Sequence, residues 1–321
     1  MLPRRWSRVN GKVAVIVRKE VLENLKSARF WGLIGLFVLL FVAMSAAIGS
    51  AARGFAIPGL GLGGGRFVVQ LVYAMSSVMS YVAPLLGIAL GFSAIASERE
   101  KGTIRLVLAR PVYRDQVLNG KIIAATILIV LAVTVSTALS LPLSMALHGV
   151  TVTADDLSRL ALSLIPSILL ALSYYALSLF ISVLSDRSSR AFLYCIVAWV
   201  FFTFILPLIA SMIALSVLGP PPAISFNMTR GGGQPQLPPQ VQEYYRKMNE
   251  IASTVLLVSP NNRYSSFVSA LFTRRSPQAA AYVDLGSVIA TRWVDLAVLA
   301  AYAAVFILLS YIFFVRRQEV R

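Results

Sequence analysis

Six long apolar stretches punctuate the chain, at 30–49, 67–96, 122–147, 160–184, 191–218 and 293–315. Each has at least 20 residues, the length a helix needs to cross about 30 Å of hydrocarbon. The first five contain no Asp, Glu, Lys or Arg, and the sixth contains only Asp295, near its start. Backbone polar groups inside a bilayer find no water, so runs of this kind are predicted to be transmembrane helices. The first apolar run begins near Phe30 and is too long for a cleaved signal sequence, so it is read as a retained span.

The intervening segments carry shorter periodic patterns. In residues 1–29, Val13, Val17, Val21 and Leu25 recur at four-residue steps, while Lys12, Arg18, Lys19, Glu23 and Lys26 fill other positions. This predicts an amphipathic helix lying in the membrane surface. The longest segment between spans, 219–292, opens with Pro220-Pro221-Pro222 and continues through a Gly- and Pro-rich stretch at 231–239. That composition predicts a linker. Beyond it, Val241, Tyr244, Tyr245, Met248, Ile251, Ala252, Val255 and Leu256 follow helical spacing. The reading is order after Pro239 and disorder before it.

Composition agrees with lipid as the solvent. Hydrophobic residues make up 58% of the 321 and charged residues 13%, against about 25% charged in soluble domains. The net charge of +16 sits beside the apolar runs rather than on a nucleic-acid motif, so nucleic acid is not an expected partner and membrane lipid is. Of the 29 Lys and Arg residues, 19 fall in 1–29, 97–121, 185–190 and 316–321. The alternate segments hold ten, seven of them in 219–292, where loop length weakens the topological signal. Both termini are therefore expected in the cytoplasm of a multi-pass plasma-membrane protein. One cysteine, Cys195, and one histidine, His148, exclude a Cys/His metal site within the chain, and no metal ligands are assigned.

Chemistry of a catalytic kind is thin. The acidic pair Asp155-Asp156 reads as a helix start for 157–184, and no catalytic residue is assigned. Hydroxyl groups inside the spans include Ser76, Ser80 and Tyr81, and Tyr174 and Ser178. They suit close helix packing or, alternatively, a substrate pathway. Pro84, Pro142, Pro166 and Pro207 are expected to interrupt helices.

The loop 97–121 is richer than topology requires. Three acids, Glu98, Glu100 and Asp115, are mixed with six bases. Gly102 should break the helix leaving the membrane, Thr103 can cap a short helix, and Pro111 can open another that Gly120 and Lys121 close. Val112, Tyr113, Val117 and Leu118 would be exposed unless docked, and a cytoplasmic protein is the expected dock.

The pattern Glu98-Arg99-Glu100-x-Gly102-Thr103, then Arg110-Pro111-Val112-x-Arg114 and Leu118-x-Gly120-Lys121, resembles the first cytoplasmic loop of ABC-2 type transporter permeases. It is most similar to the branch that serves maturation of the copper enzyme nitrous-oxide reductase. Lys19, Glu20 and Glu23 extend a looser likeness. The resemblance implies a loop that couples to an ATP-binding subunit, with those residues and Tyr113 as contacts. It also implies two ATPase copies, a second permease copy forming a homo- or heterodimer through spans two and five, and helices outside the last two spans that cap the pathway or meet an extracytoplasmic partner.

ATP and Mg would be bound by the partner. Gly11-Lys12 and Gly120-Lys121 are followed by Val13 and Ile122, not by the Ser or Thr of a phosphate-cradling loop. The expected organisation is an interface helix at 1–29, five spans in 30–218 with the coupling loop at 97–121, an extracytoplasmic segment at 219–292, and the last span with a basic tail at 293–321. The expected function is a permease subunit, acting as an exporter or as a mechanical maturation complex working on an outside partner. A membrane enzyme or a secondary transporter lacks its signature residues.

A single cysteine placed at 227 should react with a membrane-impermeant maleimide in intact cells, and one placed at 115 only after permeabilisation. The reverse labelling pattern would invert the topology.

Overall fold

The computed structural model describes residues 4–54, 64–102, 114–148, 153–222, 238–273 and 282–316. Among them the protein is α-helical with no strand. Six helices are long and apolar enough to cross a membrane, so the chain is an integral all-α membrane protein. The elements are α1 (Arg4–Leu25), α2 (Ala28–Gly54), α3 (Gly64–Gly91), α4 (Ala96–Glu100), α5 (Arg114–His148), α6 (Ala154–Leu184), α7 (Ser188–Val200), a π turn (Phe201–Ile205), α8 (Leu206–Leu218), α9 (Pro239–Val255), a 3-10 turn (Leu256–Val258), α10 (Pro260–Leu271) and α11 (Leu285–Arg316).

Helix order follows the hydropathy, but the helices outrun the apolar runs. The sixth begins at Leu285 rather than near 293, and the third at Arg114 rather than 122. Gly120 and Lys121 therefore do not close a separate helix; α5 runs unbroken through both. The prolines also behave differently from expectation. Pro84, Pro142 and Pro166 lie inside continuous helices. Only Pro207 coincides with a change of winding, just after the π turn. Neighbouring helices and Ser or Thr side chains can satisfy the carbonyl a proline frees, so a membrane helix continues through it.

The chain forms two compact units, 1–197 with 263–321, and 198–262. In the larger unit α6 is central and packs against α3 and α11, while α2 packs on α3 and α5, and α1 lies along α5. Phe30, Ile34, Phe37 and Phe41 recur at helical spacing and bury one face of α2. The α3–α6 contact is set by two small residues. A Cβ on Gly87 would fall 2.2 Å from the Ala171 carbonyl oxygen, and one on Gly91 would fall 2.0 Å from Ser178 Oγ. Such four-residue spacing of glycines lets helix backbones approach, which supplies the packing that lipid cannot drive by hydrophobicity. Ser178 Oγ, fully buried, donates to the Gly87 carbonyl at 3.3 Å and to that of Tyr175 at 2.9 Å.

In the smaller unit α8 packs against α9. Gly219 ends α8 with φ +74°, a left-handed conformation natural to glycine, and its carbonyl accepts from Tyr244 Oη at 2.7 Å. Val241 is buried in that contact, whereas Glu243 pairs with Lys247 and Arg246 with Glu250 on the exposed face. The helix starting at Pro239 matches the sequence pattern, and the linker at 223–237 lies outside the described residues.

Replacing Gly87 or Gly91 by Leu should separate α3 from α6. Overpacking of this kind costs about 1–3 kcal/mol or more, read as an earlier midpoint in denaturant unfolding of the detergent-solubilised chain. Gly32→Leu, whose Cβ meets nothing within 4 Å, should leave the midpoint in place.

Candidate functional site

The short helix α4, which carries Ser97-Glu98-Arg99-Glu100, is where the chain leaves α3 and enters the loop. Five residues cannot hold a helix by themselves, because nucleation costs more than so few hydrogen bonds return. Each of the three charged side chains supplies an anchor to a different element.

Glu98 reaches α5. Its Oε1 lies 2.8 Å from Lys121 Nζ, which also lies 2.8 Å from Glu20 Oε1 on α1. The Lys121 side chain is only 6% exposed. An isolated ammonium at that depth would be strongly destabilising, and two carboxylates compensate it. Next to it, Gly120 lets α1 lie against α5: a Cβ there would sit 2.6 Å from Ile16 Cγ2. Val117 and Leu118 are buried in the chain itself. The expectation that these two need a partner protein to cover them is corrected: their own chain, folded back, covers them.

Arg99 reaches the end of α6. Its Nη1 donates to the carbonyls of Val183 at 3.0 Å and Ser185 at 2.8 Å. The last carbonyls of a helix lack intrahelical partners, and a cation there also meets the negative end of the dipole. Ser182 Oγ completes the joint by accepting from the backbone N–H groups of Ile95 at 3.1 Å and Ala96 at 2.9 Å.

Glu100 reaches the start of α7. Its Oε2 accepts from the Ser188 backbone N–H at 3.0 Å and from the Ser188 hydroxyl. A carboxylate at a helix N-terminus is favourable for the converse reason. Gly102 then turns the chain out of the helix at φ +68°, with its N–H donating to the Arg99 carbonyl at 3.0 Å.

The expected contact residues thus divide. Glu98, Arg99, Glu100, Leu118, Gly120 and Lys121 make contacts within the chain, and Gly102 is exposed. Arg114 begins α5. Thr103, Arg110, Pro111, Val112 and Tyr113 lie outside the described residues, as do the two short helices expected there. Sequence reading grouped Glu98 with Lys121 but left Lys19, Glu20 and Glu23 as a distant likeness. The signal that could have found Glu20 is its place in an amphipathic helix, one turn beyond Ile16, the residue that meets Gly120.

The opposite end of the unit holds a second polar set. Thr153 and Asp156 form a reciprocal cap at the start of α6, so this helix begins at 154 and Asp156 caps it. Asp156 Oδ1 also accepts from Tyr282 Oη at 2.8 Å. Arg159, buried, contacts Asp155 at 3.1 Å, donates to the Leu271 carbonyl at 2.7 Å, and lies 4.5 Å from the Tyr282 ring centre. Asp295 pairs with Arg263 at 2.8 Å and is almost fully buried. It stands 21 residues before Arg316, or about 30 Å along the helix. That is one hydrocarbon thickness from the other end.

The hydroxyl groups considered for a pathway sit as follows. Tyr174 and Ser178 are buried against neighbouring helices, and Ser76 and Ser80 are nearly so. The Ser76 carbonyl accepts from Tyr264 Oη at 3.1 Å, and Tyr81 is exposed.

Comparison with known proteins agrees with this architecture. The family model of ABC-2 family transporter proteins matches residues 14–318. The chain is 28% identical over 206 residues to the probable ABC transporter permease protein NosY of Pseudomonas aeruginosa, covering 64% of this chain and 71% of that protein. It is 30% identical over 118 residues to the probable ABC transporter permease protein NosY of Stutzerimonas stutzeri, covering 37% of this chain and 40% of that one.

Removing the shared ammonium alone should cost far more than removing all three charges. Lys121→Met alone leaves two carboxylates facing each other and should destabilise the chain by about 3–5 kcal/mol, whereas the triple change Glu20→Gln, Lys121→Met, Glu98→Gln should be close to neutral. Denaturant unfolding of the two variants in detergent distinguishes them.

Proposed function

Because the chain belongs to the ABC-2 family of transporter proteins, we propose that this membrane-spanning permease subunit of an ABC transporter takes its motion from a separate ATP-binding subunit through the loop 97–121. The observation that carries the reading is the three-way anchoring of α4, in which Glu98, Arg99 and Glu100 bind α5, α6 and α7. A force applied to the loop reaches three spans through charged contacts rather than through flexible chain.

In this reading the loop residues have two roles. Thr103, Arg110, Pro111, Val112, Tyr113 and Arg114 meet the ATPase, with Gly102 as the hinge. Glu98, Arg99, Glu100, Leu118, Gly120 and Lys121 position the loop against the membrane body. Residues 1–29 lie on the cytoplasmic surface, tied in by Glu20. ATP and Mg are held by two ATPase copies, and two permease copies, alike or different, face each other through spans two and five. Segment 219–292 lies outside the cytoplasm, and substrate moves outward.

One set of contacts favours a second reading, in which ATP-driven motion acts on an outside partner. Helix α10 is tied to α3 by Tyr264, to α11 by Arg263 and to α6 by the Leu271 carbonyl. Displacement of the spans would therefore carry α10 with them.

Affinity purification of the tagged chain in mild detergent should bring down an ATP-binding subunit in stoichiometric amount, with vanadate-sensitive hydrolysis. Arg114→Glu should lower its recovery at least about tenfold, since truncating or reversing an interfacial charge costs about 2–5 kcal/mol. Insertion and folding of the chain should be unchanged. A chain that purifies alone, or an Arg114→Glu variant that retains full ATPase recovery, would overturn the docking role.

A further inference from the structure

A groove of about 970 Å³ lies between α2, the end of α3 with α4, and the start of α7. Its lining is sorted by depth. Toward the loop end it presents Arg29, Ser93, Ser97, Lys101 and Ser189, and deeper it presents Leu33, Leu36, Leu85, Ile88 and Ile196. Along α2, the seven helical steps from Arg29 to Leu36 rise about 10 Å, and on α3 the six steps from Gly91 back to Leu85 rise about 9 Å. Half of a hydrocarbon core of about 30 Å is about 15 Å. The groove is therefore polar and apolar over the depth of a single leaflet.

Its charge is also one-sided. Glu100 lines it as well, an anion whose Oε2 accepts from the Ser188 N–H and hydroxyl, so the lining holds two cations against one carboxylate. Arg29 and Lys101 are left as the cations at the mouth, both exposed. Two cations and several hydroxyl groups above an apolar trough match one kind of occupant, an amphiphile with an anionic head.

We propose that this groove binds one membrane phospholipid with a net negative headgroup, its phosphate between Arg29 and Lys101 and an acyl chain along Leu33, Leu36 and Ile88. The lipid comes from the leaflet that faces the loop, which is the cytoplasmic leaflet in the orientation proposed above. A zwitterionic lipid has the chain but not the excess charge, so the site discriminates by headgroup. A lysine or arginine near a membrane surface contributes about a five-fold preference for an anionic lipid.

The test uses the full-length chain in nanodiscs holding phosphatidylcholine with a trace of photoactivatable lipid, the diazirine being in the acyl chain and the headgroup either phosphatidylglycerol or phosphatidylcholine. After illumination, adducts are mapped by peptide mass spectrometry. The expected result is at least about five-fold more phosphatidylglycerol than phosphatidylcholine on the peptides bearing Leu36 and Ile196. Arg29→Glu with Lys101→Glu should abolish that excess. The milder Arg29→Gln and Lys101→Gln, each alone, should reduce it if the double variant does not fold.

Equal labelling by the two lipids, or an excess that persists in the folded variants, would overturn the proposal. The groove is walled in part by spans two and five, the pair proposed above to face the second copy, so the lipid would lie at the loop end of that contact. A disulfide between chains in Phe192→Cys with no lipid adduct would show protein there instead and overturn the proposal. No ATP or ATPase is present in this experiment and the bilayer is symmetric. Its failure would leave the permease reading and the topology standing.

Discussion

A buried ammonium needs negative charge nearby, and at Lys121 that charge arrives from two separate places in the chain. Glu20 comes from the helix that precedes the first span and Glu98 from the stub that follows the second. Each carboxylate brings its own helix to the same ammonium, so α1 and α4 are both tied to α5. The remaining features of that end follow. Once Glu98 fixes α4, Arg99 and Glu100 on the same short helix point at the end of α6 and the start of α7. Three charges in a row thus act on three helices because the helical turn spreads them in direction.

The other end of the larger unit solves a related problem by different means. Arg159 and Asp295 are buried, and each ties a span to the α10 segment or its flanks. Between the two ends the helices have almost no charge and rely on close approach, as at Gly87 and Gly91. Polar chemistry therefore sits at both ends and packing lies between.

The spans, their order and the break at Gly102 were legible because hydropathy and left-handed turn chemistry are local. Asp156 as a cap and the helix after Pro239 were legible for the same reason. Other features depend on contacts far apart in sequence. Val117 and Leu118 looked like docking residues because nothing in a linear pattern says that the rest of the chain buries them. The partner of Asp295 was not legible, because Arg263 lies 32 positions away. Pro84, Pro142 and Pro166 looked like breaks because proline rules come from water, and helices in lipid keep going for want of any other way to satisfy their backbone. For the serines the sequence left packing and pathway side by side; the Ser178 hydroxyl meets the Gly87 carbonyl across a helix contact that only the fold creates.

The π turn at Phe201–Ile205 inserts its wider winding into a helix that otherwise runs from Ser188 to Leu218. The surplus carbonyl reach at Phe202 is met by Ser259 Oγ, and Thr203 is met by Asn261. One residue advances an α-helix by about 100°. The two halves of this helix therefore run on different angular phases, and a stripe of substitutions drawn down one half would not continue down the other. It also marks the spot where a homologue could lose a single residue and keep both faces intact.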